Sequence, residues 1–274
     1  MSSPPNPWSD PGFLPIPEPP APIIEIPAEN PVWSGWDVLQ IVFFTLGASF
    51  VFLAVMATLA QRLIYRGLPW VDLAQKPVLA LISEFLAYIA VLIFMVALVE
   101  GRYQVSFLKA IGWNWPQHKY VEIAGLIGLG ALLLVVLSGV SHFLPIPKRV
   151  PVDQFFSRPM EAYLTSLFAI SFGPFMEELF FRGFLYPVLA RRLGVWMGVF
   201  TTALGFGLLH AMQLGFAWGP ILIIFIVGVV LTITRVAARS VAASFLVHVA
   251  YNSTLTVITF IGTDGFRHLE KLNQ

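Results

Sequence analysis

Seven apolar runs, each of membrane-spanning length, succeed one another between residues 38 and 261. They fall at 38–60, 78–99, 121–143, 162–190, 195–212, 219–236 and 241–261. A hydrocarbon core about 30 Å thick asks for about 20 apolar residues in a helix. No water is there to bond free peptide groups, so each run must satisfy its own backbone as a helix. The fold class that follows is all-α: a polytopic membrane bundle of about seven to eight transmembrane helices. Mean hydropathy is +0.79. Only 11% of residues are charged, where a soluble chain carries roughly a quarter.

Composition removes several functions at once. A net charge of +1 offers no argument for a nucleic-acid partner. With no cysteine, disulfides, thiolate metal sites and a cysteine nucleophile are excluded. The N-terminus lacks the basic and short apolar regions of a cleavable signal, so the first apolar helix is expected to direct insertion. Residues 1–36 hold 11 of the 21 prolines and no Lys or Arg, which predicts an extended, disordered tail. The organisation expected is this tail, N-terminal helices over 37–145, a polar-motif core over 155–262 and a tail over 263–274. The stretch 101–120, with Trp113, Trp115 and Pro116, reads as an interfacial loop or short surface helix. Alternating spans put seven basic residues on one face and eight on the other, so charge does not orient the chain.

Run 162–190 is too long for one straight span, and Gly173-Pro174 in its middle predicts a kink or break just ahead of Glu177. Such breaks survive in a membrane only where protein or a wet cavity satisfies the backbone. Glu177, Glu178 and Arg182 follow, and ionised groups in a membrane are functional hypotheses by default. Glu178 and Arg182 are four apart and can neutralise each other on one helix face. Glu177 points about 100° away and needs a partner from another span.

Few polar groups lie deep enough to meet it. Phe206 and His210 share a face at the end of the fifth run, and His248 and Asn252 share a face in the seventh. From the face holding Arg191 and Arg192, Glu177 lies about 20 Å in and His210 about 22 Å. Asn252 and His248 lie about 17 and 10 Å in on the same rise. Tilt can absorb the differences, so one cavity can hold all four. A desolvated carboxylate and an imidazole can move a proton from water to an amine leaving group. His248 and Asn252 can donate to a developing oxyanion. Two His and one or two Glu equally suit a Zn²⁺ shell, with Glu177, His210 and His248 as ligands, although His-Glu-x-x-His is absent. Zinc and no metal both stay open.

Glu-Glu-x-x-x-Arg, Phe-x-x-x-His and His-x-x-x-Asn, in order on three spans, resemble the CPBP family of intramembrane proteases. These are the type II CAAX prenyl endopeptidases and their bacterial Abi relatives. The likeness covers about residues 155–262. It implies endopeptidase cleavage near the membrane surface, in eukaryotic members behind a prenylated cysteine. By likeness Glu177 and His210 activate water, His248 and Asn252 hold the oxyanion, and Glu178, Arg182 and Phe206 support them. Mechanisms with and without a catalytic metal are discussed for the family. The expected partners are membrane lipid and a peptide or protein substrate, prenylated in the best-known cases, and the expected location is a bacterial inner membrane. Members place the site toward the cytosol, which would put the Arg191/Arg192 face inside.

Blander readings stand beside this one. Glu178 and Arg182 form a purely structural bridge, the histidines are hydrogen-bonded packing residues, and Asn252 joins helices. Glu84, inside the second run, is either a helix contact or a lining group of the same cavity. Ser171 and Ser244 have no evident base–acid pair, which argues against a serine mechanism. A non-catalytic binder of bacteriocin-immunity type would use the same cluster to grip a partner. A proton-coupled transporter would need paired broken helices, and no internal repeat supplies them.

Overall fold

The computed structural model describes residues 29–116 and 119–270; of the disordered tail expected over 1–36, residues 1–28 lie outside them, while residues 29–36 are ordered and lead into the first helix. Among the described residues it is all helix and connector, without strand. The first helix, α1 (Gly35–Leu63), leads through the short α2 (Trp70–Ala74) to α3 (Pro77–Val96), which runs into a π turn, Ala97–Arg102. After α4 (Phe107–Ala110) comes α5 (Lys119–Ser141), then a 3₁₀ turn, Pro151–Phe156. The remaining helices are α6 (Pro159–Ala169), α7 (Phe172–Glu178), α8 (Tyr186–Leu193), α9 (Val195–Leu209), α10 (Trp218–Ala238) and α11 (Val241–Gly262). A second π turn, Leu179–Leu185, joins α7 to α8. Six of the resulting stretches are long and apolar enough to span a membrane, and α9 is a shorter apolar helix. The expected surface helix between the second and third spans is α4, a single turn.

Large apolar side chains such as Phe43, Phe50, Ile93, Val135, Leu167 and Met197 are exposed around the bundle, as lipid-facing residues are. In lipid the hydrophobic effect does not drive helices together, so close packing must. Small residues provide it. A Cβ on Gly130 of α5 would collide with the Val247 carbonyl and lie 2.7 Å from the Ala250 Cβ of α11. A Cβ on Gly228 of α10 would lie 3.1 Å from the Ala203 Cα of α9. Gly130→Val is expected to push α5 off α11 and cost about 1–3 kcal/mol, read as a lower unfolding midpoint in detergent.

The break ahead of Glu177 is present, but upstream of its expected position. Helix α6 ends at Ala169 and α7 begins at Phe172, so Gly173 and Pro174 sit in the first turn of the new helix. Proline is tolerated there because a first-turn N–H has no intrahelical acceptor. A Cβ on Gly173 would meet the Phe168 carbonyl at 3.1 Å, so glycine lets the two pieces fold closely together.

Residues 29–34 are tied down. The Trp33 indole is buried, packs at a tilt on the Phe184 ring at 4.7 Å and donates to the Phe184 carbonyl at 3.0 Å. Arg191 donates to the Pro31 and Trp33 carbonyls, and Arg235 pairs with Glu29 at 3.1 Å. The chain entering α1 is thereby fixed to the helices that carry the polar motifs.

Candidate active site

The polar residues singled out in the sequence come from four elements. Glu177 and Glu178 end α7, Arg182 lies in the π turn that follows, His210 closes α9, and His248 and Asn252 lie one turn apart on α11. π turns recur at functional sites.

Glu178 and Arg182 are fully buried and 2.8 Å apart. The guanidinium also donates to the Gly228 carbonyl at 3.0 Å and to the Thr232 hydroxyl at 3.3 Å, both on α10. It lies 4.6 Å from the centre of the Phe206 ring. Phe206 in turn packs at 4.9 Å on His210 and 5.8 Å on His248, so it fixes both imidazoles against the ion pair.

Hydrogen-bond partners set the histidine tautomers. The Nδ1 of His210 is 2.8 Å from the Phe206 carbonyl, which only accepts, so Nδ1 carries the proton. The Nδ1 of His248 is 2.9 Å from Glu178, a carboxylate held ionised by Arg182, so it donates as well. Both neutral imidazoles therefore turn an Nε2 lone pair toward Glu177, at 4.0 Å for His210 and 3.7 Å for His248. Three acceptors face one gap. A water held there can donate to two of them at a time.

Asn252 donates through Nδ2 to the Ala169 carbonyl at 2.7 Å. That carbonyl ends α6, so the broken helix is satisfied by the residue expected at the oxyanion. Sequence spacing pairs Glu178 with Arg182 alone and misses its bond to His248. It also misses Thr232 and Gly228, whose i, i+4 spacing on α10 is the available signal.

Glu177, His210, His248 and Asn252 line a cavity of ≈ 510 Å³. Glu84 and Tyr88 of α3 line it too, so Glu84 is a cavity group. Val152 and Phe155 of the 3₁₀ turn and Gln213 of the turn after α9 complete one end. Those segments lie on the face opposite Arg191 and Arg192, and the Val152 N–H donates to the Gln213 carbonyl at 3.0 Å. The cavity thus reaches toward that opposite face.

Two Nε2 lone pairs and a carboxylate are the donor types of a zinc shell. Their spacing is not: among the described residues no group of three His, Asp or Glu could hold a metal ion.

Residues 159–254 match the family model for type II CAAX prenyl endopeptidases, described as Rce1-like. The match includes every motif residue from Glu177 to Asn252 and leaves Glu84 and the N-terminal helices outside. No curated protein and no solved structure matches the chain.

Proposed function

We propose, from the match of residues 159–254 to the Rce1-like type II CAAX prenyl endopeptidase model, that the chain is a protease of that type in which Glu177 and His210 activate water to hydrolyse a peptide bond. The matched family is one of CAAX-type intramembrane proteases, and the six apolar helices of spanning length support a multi-pass membrane protein. The observation that carries the finer reading is the pair of Nε2 lone pairs turned on Glu177.

A water between these groups gives one proton to Glu177 while His210 Nε2 accepts its second hydrogen bond. The water oxygen joins the carbonyl carbon, and charge develops on the carbonyl oxygen. Once its Nε2 has taken a proton from the cavity's water, His248 donates there, and Glu178 at its Nδ1 offsets the imidazolium charge. An amide has two N–H groups, and Asn252 spends one on Ala169. The other completes the oxyanion site. The C–N bond then breaks, and Glu177 returns its proton to the departing nitrogen.

A slot of ≈ 120 Å³ lined by Val42, Leu46, Val91, Met95 and Phe180 ends at Glu177. It supports a substrate that carries an apolar chain next to the scissile bond. The test is cleavage by the detergent-purified protein of a farnesylated Cys-a-a-X peptide and its unprenylated twin, each with and without a chelator. The expected result is cleavage of the farnesylated peptide alone, undiminished by the chelator. Equal or absent cleavage of the two peptides would overturn prenyl recognition. Loss to chelator with recovery in Zn²⁺ would overturn the metal-free chemistry.

A further inference from the structure

Glu84 and Tyr88 are one turn apart on α3 and line the reaction cavity, yet water activation and the oxyanion site use neither. Glu84 is half-buried and makes no ion pair with Lys, Arg or His among the described residues. It lies close enough to act electrostatically on Tyr88, His210 and Glu177. A carboxylate in the middle of an apolar span is costly, and here no cation of the described residues compensates it.

Hydrolysis creates a group that would. The water oxygen goes to the acyl carbon, the C–N bond breaks, and the nitrogen leaves with a proton as a new α-amine. Protonated, that amine is an ammonium in a site poor in water, where an unpaired charge is expensive. Glu178 is committed to Arg182 and His248. Glu177 faces both imidazoles and handles the reacting proton. Glu84 is the remaining carboxylate lining the cavity.

We propose that Glu84, with Tyr88 beside it, binds the new α-amine of the leaving peptide. The assignment rests on the peptidase reading above. It makes α3, outside the matched residues 159–254, the wall that recognises the leaving group.

The experiment is direct binding to the full-length, detergent-purified protein of an apolar tripeptide with a free α-amine and of its N-acetylated form. The parent protein is expected to prefer the free amine roughly tenfold, the worth of one charge-assisted hydrogen bond. Glu84→Gln, which keeps the shape, should bind both forms alike, with the acetylated form bound as by the parent. Glu177→Gln should keep the preference, which separates this result from whether the protein cuts peptides. No preference in the parent, a preference retained in Glu84→Gln, or one that vanishes in Glu177→Gln instead would each overturn the assignment. Failed cleavage by the parent alongside an intact, Glu84-dependent preference would count against the peptidase reading alone.

Discussion

Arg182→Met lowers the stability of the folded protein by about 3–5 kcal/mol, the cost of removing one partner from a buried ion pair. The guanidinium is fully buried and holds Glu178, the Gly228 carbonyl and the Thr232 hydroxyl together. Without it a fully buried carboxylate keeps the His248 Nδ1–H and the neighbouring Ser244 hydroxyl, and no cation. Methionine fills much of the volume, so the loss is one of charge and hydrogen bonding more than of packing. Combining Arg182→Met with Glu178→Leu should recover most of the stability, because it removes the orphaned charge. Activity should not return with it, since His248 then lacks the carboxylate that orients its ring. Thermal unfolding in detergent reads the first effect and peptide cleavage the second. A single variant that melts with the parent would show that the pair is not ionised, and the tautomer assigned to His248 would fall with it.

Much of this site is legible in the amino-acid sequence, for a physical reason. In a membrane the cost of burying charge thins out polar residues, so those that remain in the spans stand out by position. Helical spacing then gives their faces: Glu178 does meet Arg182, and Glu177 does point away to meet His210 and His248. What spacing along one helix does not reveal is how faces of different helices meet. The bond from His248 to Glu178, the Arg182 contacts with α10 and the hold of Asn252 on Ala169 all cross between helices. The break falls at Ile170–Ser171 and not at Gly173-Pro174 because proline takes the first turn of α7, where it is accommodated, and not a helix interior, where it disrupts. The π turn over Leu179–Leu185 leaves no local mark in the residues that form it. Glu84 is visible as a polar residue in a span, and only the packing of α3 makes it part of the cavity wall.

The central claim is that Glu177 takes a proton from the attacking water. Its place supports that role, with two histidine lone pairs at 3.7 and 4.0 Å and the rest of the carboxylate open to the cavity. A glutamine there keeps size and one acceptor oxygen but takes up no proton at neutral pH. Loss of a positioned general base removes roughly 10²–10⁴-fold in rate, and here the same group also returns the proton to the leaving nitrogen. A protein that merely grips a partner through this cluster would tolerate the change. The measurement is therefore the cleavage rate of a farnesylated Cys-a-a-X peptide by Glu177→Gln beside the parent, with the unfolding midpoint of both preparations. The account predicts loss of cleavage at an unchanged midpoint; cleavage by the glutamine variant at the parent rate would contradict it.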